Sequence, residues 1–353
     1  MIAFGKQYRS VWADFETKKI MIIDQTKLPF LFEIKELTDI EQVVEAIKKL
    51  EVRGAPAIGI AAAYAMWLSA EINNCDYKKM LEDYKKLLES RPTAVNLKKG
   101  ASYVFENQQK NTPKDFFAKA QHFADNEVLA CKNIGDNGLQ IIENIYEQKG
   151  CQINILTHCN AGWLACGDWG TALSPIFAAH RKGIPLHVWV DETRPLNQGS
   201  RLTAWELMQE DISYSVITDN TGGLLMMNKK VDLVIVGADR IVANGDFANK
   251  IGTYLKALAA NEHNVPFVVA APISTFDIQT QKGSDIKIEK RSGKELSDVY
   301  VRVENKIILA QLLPDDFDAT NYAFDITPAS FVDYYITESG IFKSIDQIIQ
   351  IKK

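Results

Sequence analysis

Two side chains that could move protons follow two buried-strand patterns in the sequence. Cys159 comes after the apolar run at residues 153–156, and Asp239 comes after the apolar run at residues 233–236. Ligands bind beyond the carboxyl ends of the strands in an open α/β sheet, so we expect both side chains at a ligand crevice. A cysteine before a helix start is favoured as a thiolate, and apolar surroundings would raise the pKa of Asp239 and make it a proton donor. The sequence therefore predicts an acid–base pair, with a buried structural thiol as the alternative for Cys159.

Histidine, nucleotide and metal chemistry have weaker support in the sequence. A cysteine nucleophile with a histidine base is the rival chemistry, because His158 is adjacent to Cys159. Adjacent residues of a strand point to opposite faces, which argues against that dyad. His187 lies within a predicted strand and is interpreted as a structural histidine. The sequence contains no G-x-G-x-x-G after a predicted strand, no Walker-type G-x-x-x-x-G-K-[ST] and no His or Cys set with zinc spacing.

Two arginines precede two patterns typical of helix starts. Arg53 and Gly54 come before a helix pattern that begins at Ala55 and is apolar on every side. A buried helix start must satisfy its backbone N–H groups, and beside a guanidinium these groups can hold a phosphate or carboxylate. Arg91 precedes a similar start at Pro92. The pair predicts an anion site, and a tight glycine turn with a surface arginine is the alternative for Arg53.

Three further polar residues follow predicted strands or turns. Gln198 lies in a loop where its amide could bind hydroxyl groups, and Asn249 and Lys250 follow the turn at residues 244–246. Lys250 would add to the positive charge of the predicted anion site. Each alone reads equally well as an exposed polar residue. Taken together, these candidates suggest a phosphorylated polyol handled without metal or cofactor, and aldose–ketose isomerisation is the simplest such chemistry.

The elements that must position these residues form two predicted domains. Residues 1–130 are expected to form an N-terminal domain of helices and a small antiparallel sheet, and residues 131–353 a Rossmann-like catalytic domain. Strands alternate with helices after residue 151, which predicts a doubly wound parallel α/β sheet. Its predicted strands are residues 153–156, 186–190, 212–217, 233–236 and 267–271. Smaller predictions are strand-like runs at residues 20–23 and 30–32, a capping box from Thr38 to Glu41, one or two helices within residues 114–147, a strand at residues 300–303 and a final helix that starts at residues 324–329.

The overall composition excludes several classes of protein. A chain of 353 residues favours two domains, and its net charge of −5 argues against a general nucleic-acid binder. Five scattered cysteines do not indicate a disulfide framework, which favours a reducing cytoplasm, and the first residues show no secretory signal. The most apolar helix pattern, at residues 56–69, is expected to be too short to span a bilayer.

Six sequence blocks together resemble one enzyme family over almost the whole chain. They are RGAPAIG at residues 53–59, SRPTAVNL at 90–97, THCNAG at 157–162, DETRP at 191–195, QGSRLTAWEL at 198–207 and GADRI at 237–241. These blocks resemble the signatures of the S-methyl-5-thioribose-1-phosphate isomerases. The resemblance implies conversion of methylthioribose 1-phosphate to methylthioribulose 1-phosphate in methionine salvage, without a cofactor. It also implies a homodimer with a Rossmann-like C-terminal domain behind a smaller N-terminal one.

The resemblance also implies a role for each candidate residue. The catalytic cysteine of the family falls on Cys159 and its acid on Asp239. The substrate-binding residues fall on Arg53, Gly54, Ala55, Arg91, Gln198, Asn249 and Lys250.

Two other functions occur in the same superfamily and stay open at this point. One is that of the non-catalytic regulatory subunits of a translation-initiation nucleotide-exchange factor, which the joint presence of Cys159, Asp239 and Arg53 disfavours. The other is isomerisation of ribose 1,5-bisphosphate, which differs in the group beyond C5. The SRPTAVNL and DETRP-x-x-QG blocks favour the methylthio sugar.

Overall fold

The computed structural model describes residues 1–91, 95–106 and 112–352, and the chain forms two compact units. The first unit contains Met1–Lys132 and a short later segment, Ala161–Gly170. The second unit contains Asn133–Asn160 and the chain from Thr171 onward. The domain division expected at residues 130 and 131 stays a prediction, and it does not include the return of residues 161–170 to the first unit.

The first unit consists of helices and a small antiparallel sheet. Its strands are β1 Ile2–Ala3, β2 Lys6–Gln7, β3 Val11–Asp14, β4 Lys19–Ile23 and β5 Ile34–Leu37, and its helices are α1 Ile40–Lys48, α2 Ala55–Ile72, α3 Tyr77–Ser90, α4 Val95–Phe105, the first part of α5 Pro113–Lys149 and the short α6 Trp163–Cys166. Strands β3, β4 and β5 pair antiparallel, as expected for the N-terminal sheet. The predicted helical region at residues 114–147 is one helix, α5.

Helix α2 is the centre of the core of the first unit. Every residue from Pro56 to Ala70 is buried, because the helix carries apolar and small side chains on all sides. Helix α4 packs so closely on α2 that a Cβ on Gly100 would lie 2.0 Å from the carbonyl oxygen of Gly59. At 18 residues α2 is longer than expected, and by length and composition alone it could cross a membrane. Since 83% of it is buried inside the protein, it is built as a core helix.

Two local predictions in the first unit are wrong. Helix α1 is capped by Asp39, whose carboxylate accepts the Gln42 N–H at 2.8 Å, and not by Thr38. Thr38 instead donates its backbone N–H to the Gln42 side chain at 2.9 Å. The strand-like residues 30–32 lie in a turn and the segment after it, because β4 pairs with the later β5.

The second unit is built on a seven-stranded sheet with the order β20-β19-β12-β9-β6-β7-β8. Its strands are β6 Ile153–Thr157, β7 Leu186–Asp191, β8 Tyr214–Ile217, β9 Leu233–Val236, β12 Phe267–Ala270, β19 Tyr334–Thr337 and β20 Gly340–Phe342. Every neighbouring pair is parallel except β19 with β20. The predicted doubly wound α/β sheet is confirmed, and its five predicted strands occur within one or two residues of their expected ends.

Helices connect these strands, and a second sheet follows β9. The helices are α7 Ser174–Arg181, α8 Ala204–Gln209, α9 Thr221–Met227, α10 Thr253–Glu262, α11 Lys294–Ser297 and α12 Ile345–Lys352, with a π-helix at Gly199–Thr203 and 3₁₀ turns at Ile273–Thr275, Gly283–Asp285 and Ala329–Phe331. The second sheet has the order β13-β10-β11-β18, with β10 Arg240–Val242, β11 Phe247–Lys250, β13 Phe276–Asp277 and β18 Phe324–Thr327. Strand β14 Lys290–Arg291 pairs with β17 Asn321–Tyr322, and β15 Asp298–Val303 pairs with β16 Lys306–Gln311.

Two predictions for the C-terminal part need correction. The residues expected to start the final helix form strand β18, because β11 offers them an antiparallel partner, and the final helix is α12. The strand expected at residues 300–303 belongs to the longer hairpin of β15 and β16.

The strand order places a ligand crevice at one point of the large sheet. From β6 the chain adds β7 and then β8 on one side, and it adds β9, β12 and β19 on the other. The order therefore reverses between β6 and β9, and in open α/β sheets ligands bind at the carboxyl ends of strands where the order reverses. Thr157 at the end of β6 donates its hydroxyl to the Ile235 carbonyl of β9 at 2.8 Å, which ties the two strand ends together.

Candidate active site

Cys159 lies in a constrained turn just beyond the end of β6. Its φ of 69° is in the left-handed region, which costs a residue with a side chain roughly 1–2 kcal/mol. The Cys159 N–H donates to Thr193 Oγ1 at 2.9 Å, and the Thr203 hydroxyl donates to the Cys159 carbonyl at 2.7 Å. These two hydrogen bonds hold the strained backbone from both sides. The thiol is half-buried, so a substrate can reach it.

Asp239 lies just beyond the end of β9, the neighbour of β6. Its backbone N–H donates to the Ala248 carbonyl at 2.9 Å, which fixes it beside strand β11. The apolar surroundings expected for the carboxyl are not present, because the side chain of Asp239 is exposed although Leu233–Val236 is fully buried. The turn after β9 carries the residue out of the core before β10 begins. The structure thus brings Cys159 and Asp239 to neighbouring strand ends, and their roles stay predictions.

Gln198 lies where the loop after β7 enters the π-helix. The residue is buried, and among the described residues its amide oxygen has no hydrogen-bond partner. A buried carbonyl oxygen without a partner is costly, so a hydroxyl group of a ligand would relieve that cost. The adjoining backbone is close-packed, since a Cβ on Gly199 would lie 1.7 Å from the Asp191 carbonyl oxygen. π-helical turns of this kind occur frequently at functional sites.

Asn249 and Lys250 end strand β11. Both are buried, and the Asn249 amide donates to Thr253 Oγ1 at 3.0 Å. The Lys250 ammonium lies 4.9 Å from the centre of the Phe324 ring, which stabilises a cation through its π-face. The Thr253 hydroxyl donates to the Lys250 carbonyl at 2.6 Å and holds the end of the strand. A buried lysine at this place is suited to an anionic ligand.

A buried polar network lies behind the Cys159 turn. His158 Nδ1 is 2.8 Å from Asp191 Oδ2, and His158 Nε2 is 2.8 Å from the carbonyl oxygen of Ile251. The Lys256 ammonium is 3.1 Å from the same Asp191 oxygen. Both ring nitrogens of His158 are therefore engaged away from the thiol, which agrees with the argument against a Cys–His dyad.

Two carboxyl groups around this network have raised pKa values. Burial raises the pKa of Asp325, although the N–H groups of Gly252 and Tyr254 and the nearby charges of His158 and Lys256 act in the opposite direction. Burial also raises the pKa of the half-buried Glu192, and the carboxylate of Asp219 adds to the effect. The carboxyl ends of the strands thus hold a dense set of charges.

In the first unit, Arg53, Gly54 and Ala55 form the entrance of α2. Gly54 is the N-cap with φ 90° and ψ 137°, and it contributes no side chain to the helix start. Its conformation is one that glycine adopts readily. The space is also closed, because a Cβ at this position would lie 2.4 Å from the Ala165 carbonyl oxygen. Arg53 is half-buried beside this helix start.

Replacing Gly54 with alanine is expected to lower the free energy of unfolding by about 3 kcal/mol, from a left-handed backbone and an overfilled contact. Gly5→Ala is the matched control, because Gly5 has φ 73° and open space where its Cβ would lie. We expect that control to lose about 1 kcal/mol. Urea unfolding of both variants measures the difference, and equal losses would contradict the close approach of Gly54 to Ala165.

Arg91 ends helix α3 and is half-buried. The helix start predicted at Pro92 lies outside the described residues, which resume at Val95 in α4. Helices α2 and α4 pack together in this unit, so the two predicted arginine devices belong to one packed helical group.

The structure brings the predicted site residues together in two sets. Cys159, Asp239, Gln198, Asn249 and Lys250 lie in the second unit, around the carboxyl ends of β6, β7, β9 and β11. Arg53, Gly54, Ala55 and Arg91 lie in the first unit. The supporting residues were not predicted as such, and they are Thr193, Thr203, His158, Asp191 and Lys256. Four of them lie in or beside the DETRP, THCNAG and QGSRLTAWEL blocks, which was the available signal.

Comparison with known proteins identifies the family. The model of the initiation factor 2 subunit family matches residues 51–344. The methylthioribose-1-phosphate isomerase of Escherichia coli O45:K1 is 48% identical over 344 residues, which cover 96% of this chain and 92% of that protein. The isomerase of Sulfurimonas denitrificans is 47% identical, with 96% of each chain covered. The chain belongs to the initiation factor 2 subunit family, as a relative of its methylthioribose-1-phosphate isomerases.

Two solved structures of this family have the same fold as the chain. The 5-methylthioribose 1-phosphate isomerase of Pyrococcus horikoshii has a TM-score of 0.85 and 35% identity, with 98% of this chain and 97% of that chain covered. The translation initiation factor eIF-2B subunit delta from A. fulgidus has a TM-score of 0.82 and 36% identity, with 98% and 100% covered. Similarity of fold therefore does not separate the enzyme from the subunit, and the site has to do so.

Proposed function

We propose that this protein is an aldose–ketose isomerase that converts S-methyl-5-thioribose 1-phosphate to S-methyl-5-thioribulose 1-phosphate in methionine salvage. The observation that carries the proposal is the pair of Cys159 and Asp239 at neighbouring strand ends, where the strand order of the sheet reverses. The isomerases to which the chain is similar over nearly its full length act, by their names, on this sugar phosphate.

The reaction requires three movements of hydrogen. Because C1 carries the phosphate, the ring must open first, which breaks the bond between C1 and the ring oxygen and gives that oxygen a proton. The hydrogen on C2 must then reach C1, and the hydroxyl on C2 must lose its proton to become the ketone. Substrate and product have the same atoms and electrons, so no external oxidant or reductant is needed.

Each residue of the pair suits one part of this sequence. We assign proton transfer to and from the oxygens to Asp239, whose exposed carboxyl can exchange protons with a substrate. We assign the C1–C2 centre to Cys159, whose thiol can act as a base or stabilise charge in its fixed turn. General acid–base groups of this kind contribute about 10²–10⁴-fold to a rate.

The binding residues would hold the two ends of the substrate. We assign the phosphate to Arg53, Gly54, Ala55 and Arg91, because a helix start beside guanidinium groups binds such anions. Gln198, Asn249 and Lys250 would bind the hydroxyl groups and add charge, and the unpartnered amide oxygen of Gln198 supports its part in this. A homodimer in the cytoplasm, without a role in nucleic-acid or membrane binding, completes the proposal.

A turnover assay with two sugar phosphates tests the proposed function. The purified protein is given methylthioribose 1-phosphate or ribose 1,5-bisphosphate, and formation of the ketose is followed by ¹³C NMR. We expect kcat/KM for the methylthio sugar to exceed that for the bisphosphate by at least about 100-fold, since a second phosphate needs another cation. The reverse preference would make the protein a ribose-1,5-bisphosphate isomerase. Turnover of neither sugar, together with binding to initiation-factor subunits, would identify a regulatory subunit.

A further inference from the structure

The buried network of His158, Asp191 and Lys256 has no place in the chemistry assigned above. The side chains of His158 and Asp191 are fully buried, and that of Lys256 is 4% exposed. Ionisable groups are rarely buried this deeply unless they are paired, because leaving water is costly for a charge. A network of this kind directly beneath Cys159 calls for a function.

Hydrogen-bond accounting indicates where the protons lie. The Ile251 carbonyl is an acceptor only, so His158 Nε2 must carry a hydrogen. Asp191 Oδ2 faces both His158 Nδ1 and the Lys256 ammonium, and a cation 3.1 Å away favours the ionised carboxylate. A carboxylate is also an acceptor only, so Nδ1 must carry a hydrogen as well.

The charges around His158 come from four elements. Asp191 ends β7, Lys256 lies on α10, Asp219 follows β8 and Asp325 lies on β18. The Asp219 carboxylate accepts the N–H groups of Thr193 and Arg194 at 2.7 and 2.8 Å. The Lys256 ammonium also donates to the Asp219 carbonyl. His158, Asp191 and Asp219 have metal-like spacing, but their facing atoms already have partners and Lys256 provides the local cation.

The two partners of His158 connect separate parts of the candidate site. Asp191 leads into Thr193, whose hydroxyl accepts the Cys159 N–H. Ile251 follows Asn249 and Lys250 directly in the chain. The backbone beyond Ile251 lies against the ring, since a Cβ on Gly252 would be 3.0 Å from His158 Cε1. The position of the His158 ring therefore couples the Cys159 turn to the end of β11.

We propose that His158, with hydrogens on both ring nitrogens, is a positioning residue that sets the Cys159 turn against the Asn249–Lys250 strand end. The proposal rests on the proposed isomerase function for its kinetic part. Its structural part, the doubly protonated ring held by Asp191 and the Ile251 carbonyl, does not depend on any substrate.

The first test is ¹⁵N NMR of the full-length protein labelled at its five histidines. The His158 signals are assigned by their absence from the spectrum of His158→Gln. At pH 7.5 we expect two directly bonded N–H pairs for His158. A bare ring nitrogen would overturn the doubly protonated ring, and this measurement needs only the wild-type protein to fold.

The second test separates positioning from stability by kinetics on methylthioribose 1-phosphate. We expect His158→Gln to lower kcat by about 10–100-fold and to raise KM several-fold, because small misplacements at a reacting centre have effects of this size. His187→Gln is the control, since His187 lies on β7 and bonds only to Ser213 among its printed contacts, and it should stay within twofold of the wild type.

Asp191→Asn, which keeps the shape of the side chain, should lower kcat by about tenfold. It provides a second variant should His158→Gln not fold. Variants that lose thermal stability but keep kcat and KM would overturn the positioning role. An inactive wild type would sink the isomerase function instead, and the NMR result would still stand.

Discussion

Replacing Asp239 with asparagine is expected to lower kcat by about 10³-fold while KM for methylthioribose 1-phosphate changes less than about threefold. Asparagine keeps the size of the side chain but cannot give a proton to the ring oxygen or take one from the C2 hydroxyl. The folded structure should persist, because the contact that fixes this residue beside β11 is made by its backbone N–H and the Ala248 carbonyl. Steady-state kinetics with binding by calorimetry measures both effects.

Asp316→Asn is the matched control for this experiment, since Asp316 is also an exposed aspartate of the second unit. Its kinetic constants should equal those of the wild type. Near-normal turnover by Asp239→Asn would remove Asp239 from the mechanism and leave the protons to another group.

Replacing Cys159 with serine is expected to lower kcat by about 10²–10³-fold with little change in substrate binding. A serine hydroxyl stays un-ionised at neutral pH, whereas a thiol can reach the thiolate form that acts as a base or stabilises charge. The bonds to Thr193 and Thr203 involve the backbone of residue 159, so the turn should keep its shape. Kinetics and a melting curve measure the two effects.

Cys151→Ser provides the control, because Cys151 is an exposed cysteine just before β6. It should leave kcat unchanged. A Cys159→Ser enzyme with wild-type activity would make Cys159 a structural thiol, the alternative that its sequence position allowed.

The parallel sheet was predictable because its strands are short, apolar and bounded by polar or small residues. Residues 233–236 are the clearest example, since all four are apolar and all four are buried in β9. The strand order was not predictable from these runs. It is set by pairings such as Ile155 with Leu233, which join segments almost 80 residues apart.

The errors arose where tertiary partners decided the outcome. Residues 324–329 carry a Thr-Pro pattern typical of a helix start, but pairing of Asp325 with Asn249 across β11 makes them a strand. The capping residue of α1 moved from Thr38 to its neighbour Asp39, since both side chains can accept an N–H and local sequence does not rank them.

The candidate site was predictable in its residues more than in its environment. The positions of Cys159 and Asp239 follow from the strand ends, but the exposure of Asp239 depends on the path of the turn after β9. The His158 network joins residues from four elements, and no spacing along the chain indicates that His158, Asp191 and Lys256 meet. Such contacts require the three-dimensional arrangement.

The central claim is that the Cys159–Asp239 pair isomerises methylthioribose 1-phosphate, and one parallel measurement tests it most directly. The wild type, Cys159→Ser and Asp239→Asn are each incubated with the sugar phosphate labelled with ¹³C at C2, and the ketone carbon is followed by NMR. We predict rapid conversion by the wild type, with phosphate and methylthio groups retained, and loss of most turnover in both variants. An unchanged substrate with the wild type, or equal rates for all three proteins, would contradict the account.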